Sequence, residues 1–298
     1  MSVILVTGSS TGIGFVITET LARNGHTVYA TMRDQQRSPQ LQQVAGDNNL
    51  PIIVLPMDVL DDRSVQSAIN NVLSKEGSID VLINNAGIHS WGAVEEQPFE
   101  LFKNEMDTNY FGTLRCIKAV LPSMRERKSG CVINISSVAG KVFSNFHGTY
   151  APSKAAVEAL SETLAQELVP FNVHVALVQP AFIETPIFNK TNEIPGNTYY
   201  PNTKRFLSMF AAALENHENA NKVADIVKDI VSGKREDFRN PVGLYAEAFL
   251  NFRASLRDED WINSVAVSDG DWINNMEQMG FKVTKYMQAE GLPKFNNK

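Results

Sequence analysis

The chain has 298 residues, of which 43% are hydrophobic and 20% charged, and its formal net charge is −6. That length suits one large domain or two, and the composition is that of an ordinary globular protein. The acidic balance supplies no basic surface for nucleic acid or an anionic membrane, and no apolar run approaches the ~20 residues of a transmembrane helix.

In chain order, short apolar, β-branched runs predict strands at 3–7, 27–32, 52–57, 81–83, 131–135 and 173–178. Helical patterns lie between them at 13–24, 62–76, 98–127 and 151–170, with another at 221–232. Continuous apolar strands are buried on both faces, so the alternation predicts an α/β fold with a doubly wound parallel sheet. The first run follows Met1 without a leader-like segment, which leads us to expect a cytoplasmic protein. Cys116 and Cys131 stand in apolar surroundings and read as reduced core thiols; no Cys/His spacing suits a metal. Asn189-Lys190-Thr191 matches a glycosylation sequon and reads as chance in a cytoplasmic chain. Residues 184–203 read as a loop rich in Asn, Thr, Pro and Gly, and 206–214 as an apolar helix. Residues 246–298, with Trp261 and Trp272, are expected to form an extension packed on the same domain.

The stretch "VILVTGSSTGIG" (3–14) is a buried strand turning into a helix. Glycines let the backbone turn tightly and let a phosphate approach, while the helix N-terminus offers free N–H groups to an anion. Gly8, Ser10, Thr11, Gly12, Ile13 and Gly14 are therefore the candidate phosphate cradle of a dinucleotide. The second strand ends "VYATMRD". Met32 stands where an acid would bind the adenosine ribose of NAD, and Arg33 follows with a guanidinium suited to a 2′-phosphate. NADP(H) is favoured and NAD(H) remains open, because Asp34 becomes that acid if the register is shifted by two.

At 100° per residue, Tyr150, Lys154, Val157, Ser161, Leu164 and Leu168 share one helical stripe, while Glu158, Glu162 and Gln166 fall elsewhere. A lysine on that face is costly to bury without a partner. The helix alone is equally compatible with a snorkelling lysine beside a packed tyrosine. Phe102, Met106, Asn109, Thr113, Cys116 and Val120 form a second stripe, on which a buried asparagine must find partners.

These motifs, with "MDV" (57–59), "NNAG" (84–87), "TNYFG" (108–112), "NISS" (134–137), "YAPSK" (150–154) and "QPAFIET" (179–185), resemble the short-chain dehydrogenase/reductase family over about residues 1–245. The segments "VYATMRD" and "NNAGIHSWGAVEE" look most like its hydroxysteroid and retinol dehydrogenase branch. The resemblance implies a Rossmann-like sheet of about seven parallel strands in the order 3-2-1-4-5-6-7, with helices on both faces. It implies an NADP(H)-dependent oxidoreductase that interconverts a carbonyl and an alcohol without metal. Tyr150 would be the general acid/base, Ser137 would orient the substrate oxygen, and Ser136 is its near competitor. Lys154 would lower the Tyr150 pKa and hold the nicotinamide ribose, and Asn109 would feed a proton relay through a water to Lys154. Asp58 and Val59 would meet the adenine; Asn85, Ala86 and Gly87 would lie along the adenosine ribose; Pro180, Ile183 and Thr185 would border the nicotinamide and pyrophosphate. Ala181 replaces the glycine usual in the family and puts the turn geometry there in question.

In the family the segment after the sixth strand closes over the substrate, here as a lid at about 184–216. Phe182, Ile187, Phe188, Phe206, Leu207, Met209 and Phe210, with Trp91, Val142 and Phe143 near the rim, suggest a bulky apolar carbonyl or alcohol. The same side chains would equally fill a core or a subunit contact. His89 and His147 are candidate cleft residues without a catalytic role. Epimerase or dehydratase chemistry and a non-catalytic dinucleotide sensor are the competing functions. Many members of the family pair through the helices that here carry Asn109 and Tyr150, as homodimers or tetramers; the C-terminal extension is the alternative cover for those faces or for the cleft, and the subunit number stays open.

Overall fold

Seven parallel strands form one sheet among the described residues: β1 (Val3–Thr7), β2 (Thr27–Met32), β3 (Ile52–Pro56), β4 (Val81–Asn84), β5 (Gly130–Ile135), β6 (Val173–Pro180) and β7 (Arg239–Val242). Their order is β3-β2-β1-β4-β5-β6-β7, as expected. The structure is a computed structural model and describes residues 1–188, 194 and 197–293. The sequon at Asn189 and part of the expected lid lie outside the described residues.

Alternate residues of each strand feed two cores. Ile4, Val6, Ile83 and Val178 pack against Ile17 and Leu21 of α1 (Gly12–Arg23) and against Val223 and Val227 of α8 (Asn221–Val231). Leu5, Leu82, Val132 and Val175 face the other way, against α3 (Asp62–Glu76), α5 (Gly112–Arg127) and α6 (Tyr150–Leu168). Strands buried on both sides explain why the sequence shows runs rather than alternation.

β7, "RNPV", carries no apolar run and escapes the periodicity reading. Among the described residues it pairs with β6 alone, and an edge strand tolerates Pro241 because only one side of its ladder must be filled. The short helix α2 (Pro39–Asp47), with only Leu41 buried, also has no predictive stripe. The helix expected at 98–127 is broken: α4 (Phe99–Glu105) and α5 flank a π-helical turn, Met106–Phe111.

A third apolar cluster joins α7 (Thr203–Glu215) to the C-terminal segment. That segment holds α9 (Ala246–Ser255), α10 (Asp258–Asn263), α11 (Asp269–Gln278) and α12 (Thr284–Gln288). Phe281 and Val283, between the last two, are fully buried beside Phe206 and Phe210. Arg205 ties α7 to this segment through Asp269 and the Val265 and Val267 carbonyls. No helix among the described residues is long and apolar enough to cross a membrane.

Candidate active site

The carboxyl ends of β1, β4 and β5 open into a cleft of about 720 Å³ that runs from the glycine loop to α9 and α10. At one end Gly8 and Gly12 sit at φ +68 and +62, where glycine alone is unstrained. A Cβ on Gly8 would stand 2.7 Å from Ala86 Cα, and one on Gly14 would stand 2.4 Å from Asn85 Nδ2. The Asn85 side chain braces this turn by donating to the Thr7 and Gly8 carbonyls at 2.9 and 3.0 Å. Thr11 caps α1 without a side-chain hydrogen bond, and the first turn holds no carboxylate. That helix end is left as an anion cradle. The residues present fit a nicotinamide dinucleotide.

Arg33 follows β2, is exposed and lines the cleft. Asp34 does not line it; its carboxylate accepts from Gln36 N at 2.9 Å and caps the next turn. The register is therefore the one that puts arginine, not aspartate, toward the cleft. Asp58 and Val59 line the same end, with Asp58 Oδ1 accepting from Leu60 N. Ser10, Thr11, Ile13, Asn85, Ala86, Gly87, Pro180, Ile183 and Thr185 are all at the cleft wall; Gly14 lies behind it, against Gly8. Ala181 donates its N–H to the Val242 carbonyl and has no positive φ, so the turn needs no glycine there.

Ser137, Tyr150 and Lys154 converge on the middle of the cleft. Ser137 Oγ donates to the Pro180 carbonyl at 3.3 Å and accepts from Ala139 N at 3.1 Å, and its hydroxyl lowers the Tyr150 phenol. Ser136 is buried with no partner for its hydroxyl, 2.9 Å from the Cβ position of Gly140. Of the two serines, it is Ser137 whose hydroxyl acts on the Tyr150 phenol. Lys154 is 5% exposed, and burial brings its ammonium down to about 8. Burial raises the Tyr150 phenol, against a lowering by Ser137 and a further rise from Glu105. The Lys154 ammonium lies over the Tyr150 ring, 5.8 Å from its centroid.

Asn109 is buried at the centre of the π turn. Its Nδ2 donates to the Ile88 carbonyl and to Ser153 Oγ, and its Oδ1 accepts from Ile88 N. Upstream of the turn the inward residue is Glu105, not Met106, because the wider π turn shifts the stripe by one position. Glu105 is 1% exposed, accepts a hydrogen bond from Ser90, and burial pushes its pKa up to about 7. Glu158, expected off the stripe, is also buried; Arg239 at 3.1 Å and Gln179 at 3.0 Å satisfy it. Tertiary partners from β6 and β7 make that burial possible, and helical spacing cannot show them.

The far end is aromatic. Phe182, Ile187, Phe188, Met209 and Phe210 line it, with Phe249 and Trp261 from the C-terminal segment. Phe206, Leu207 and Trp91 fill the third core, so the apolar stretch serves both cleft and core. Trp261 Nε1 donates to the Phe143 carbonyl at 2.8 Å and pins that segment beside the cleft. Its role there was invisible in a sequence with no periodic signal. His89 and His147 both line the cleft near Tyr150. Cys116 is a free thiol within one core and Cys131 a free, half-buried one packed against the other; burial pushes both up to about 12. No cluster able to hold a metal exists among the described residues.

A glycine cradle at the carboxyl edge of a doubly wound sheet, leading into a largely apolar cleft, defines a dinucleotide-binding α/β protein. The family model for short chain dehydrogenase matches residues 2–196. A 3-ketodihydrosphingosine reductase of Bacteroides thetaiotaomicron is 36% identical over 245 residues, 81% of this chain and 87% of the relative. Retinol dehydrogenase 8 of Bos taurus is 37% identical over 204 residues, 67% of this chain and 65% of the relative. Among solved structures, a short-chain dehydrogenase from Streptomyces avermitilis is similar with a TM-score of 0.75 at 29% identity, covering 94% of this chain and 97% of that one. The chain belongs to the short-chain dehydrogenase family, whose members are oxidoreductases using NAD(P)(H).

Proposed function

We propose that this enzyme is an NADP(H)-dependent reductase of a bulky apolar ketone or aldehyde, running in reverse as an alcohol dehydrogenase. The observation that carries the reading is the placement of Tyr150, Ser137 and Lys154 midway between an arginine-flanked glycine cradle and an aromatic wall. The cofactor, when bound, supplies the hydride. Ser137 orients the carbonyl oxygen by hydrogen bonding, and Tyr150 gives it the proton. A phenol kept protonated by burial suits that donor role. Lys154 holds a positive charge against the developing phenolate. Asn109 acts as a positioning residue: its amide joins the Ile88 backbone to Ser153, whose hydroxyl in turn bonds the Tyr150 carbonyl.

NADP(H) over NAD(H) rests on Arg33, since Asp34 is engaged in its own turn. The similarity to a ketone reductase agrees with the direction. NADPH oxidation against carbonyls graded by size and polarity tests the reading. Larger apolar ketones should have the lower KM; a preference for small polar ones, or no turnover across the panel, overturns it.

A further inference from the structure

Among the described residues, one imidazole nitrogen in the aromatic half of the cleft has no hydrogen-bond partner. His147 is 6% exposed and lines the cleft, and its Nε2 is buried without a hydrogen-bond partner. Buried polar atoms are nearly always satisfied, so such an atom at a cleft wall marks a place for a ligand group. The ring is not loose. Its Nδ1 lies 3.0 Å from Ser144 Oγ, and Phe206 and Phe210 pack edge-on at 5.1 and 5.3 Å. Ala151 N donates to the His147 carbonyl at 2.9 Å, which registers its backbone to the first turn of the helix that carries Tyr150. Phe146, just before it, sits at φ +61, a left-handed conformation disfavoured for a bulky residue, and this turns the chain into place.

The rings packed against His147 are His89, Tyr150, Phe206 and Phe210. His147 itself is pushed down to about 4 by burial, and His89, 5.5 Å away, is also held neutral by burial. The His147 ring lies 6.2 Å from the Tyr150 ring and the His89 ring 4.6 Å from it. A group bonded to His147 therefore belongs to the same small part of the substrate that Tyr150 serves. A neutral imidazole flanked by a rotating serine hydroxyl can present Nε2 as donor or acceptor, which suits a hydroxyl.

Resting on the reductase reading above, we propose that His147 is a specificity-determining residue whose Nε2 hydrogen-bonds a hydroxyl one or two carbons from the reacting carbonyl. The substrate class is then a hydroxyketone carried on an apolar body, not a simple ketone.

The test uses a matched pair: a long-chain ketone with such a hydroxyl and its deoxy analogue. Binding of each to the NADP⁺-loaded enzyme is measured calorimetrically, separately from turnover with NADPH. Wild type should bind the hydroxyketone about tenfold more tightly, and His147→Phe should bring the two affinities together. His147→Gln, which keeps a hydrogen-bonding side chain, should retain part of the discrimination even if the phenylalanine variant fails to fold. Equal affinities in wild type, or discrimination that survives His147→Phe, overturns the inference. Discrimination in binding without turnover of either ketone leaves His147 as a hydroxyl site and overturns the reductase reading instead.

Discussion

Lys154 Nζ stands 5.8 Å above the centroid of the Tyr150 ring and donates a 2.9 Å hydrogen bond to the Ile135 carbonyl. The cation is thus anchored to the end of β5. Deleting the phenol oxygen should remove the proton donor without disturbing the lysine. Tyr150→Phe is expected to lower kcat by about 10²–10⁴-fold, the usual contribution of a general acid. Thermal stabilisation by NADP(H) should persist. Retained turnover would refute the assignment.

Arg33 offers an exposed guanidinium at the cradle end of the cleft, while Asp34 is tied into its own turn. Arg33→Ala should weaken NADP⁺ binding by roughly 10-fold to 100-fold, the range of one charge-assisted hydrogen bond, and leave NAD⁺ binding nearly unchanged. Fluorescence titration with each cofactor checks this. Equal losses for both would show that Arg33 does not read the 2′-phosphate.

What could be read from the residues depended on whether the signal was local. β1 to β6 and α1, α3, α6 and α8 each carry an apolar run or stripe, and each formed close to its expected bounds. β7 is held by neighbours on β6 and has no run of its own. α10, α11 and α12 bury no residue within their spans, so no helical stripe existed to be found. The apolar anchors, Phe281 and Val283, lie in the connection between two of those helices. The motif residues at the cleft were visible in the sequence: Ser137, Tyr150, Lys154, Gly8 and Gly12 all line it. Glu105 was not, because one extra residue in the π turn moves it onto the inward face, and the spacing rule assumes an unbroken α-helix.

Glu105 also carries a pH dependence. Its pKa rises from 4.5 to about 7, mainly through burial, opposed by hydrogen bonds from Ser90 and Thr149 and by the Lys154 charge. A raised carboxyl stabilises the fold fully below about 4.5 and loses that contribution as pH rises toward 7. The size is on the order of 3 kcal/mol. His147 works in the opposite sense, since its pKa falls from 6.5 to about 4 and the fold weakens as pH drops through that window. Comparing Glu105→Gln with wild type cancels the histidine. In urea titrations the variant should gain stability relative to wild type between pH 5 and pH 8. An unchanged difference across that range would mean Glu105 is ionised in the fold throughout.

The C-terminal segment makes a fourth prediction, because it supplies wall as well as cover. Phe281 is 1% exposed and packs on Tyr245 at 4.5 Å, Phe249 at 5.7 Å and Phe182 at 6.0 Å. Phe182 and Phe249 in turn line the cleft. Phe281→Ala should cost about 3–5 kcal/mol, the range for emptying a buried aromatic site. It should also loosen the aromatic wall, raising KM for a bulky ketone more than it lowers kcat. NADP(H) affinity should stay as in wild type, since the cradle lies at the opposite end of the cleft. Phe252→Ala, at a side chain 45% exposed, should change stability by no more than about 0.5 kcal/mol and serves as the control. If Phe281→Ala alters stability alone and leaves KM where it was, the segment is a brace for the fold and not part of the substrate wall.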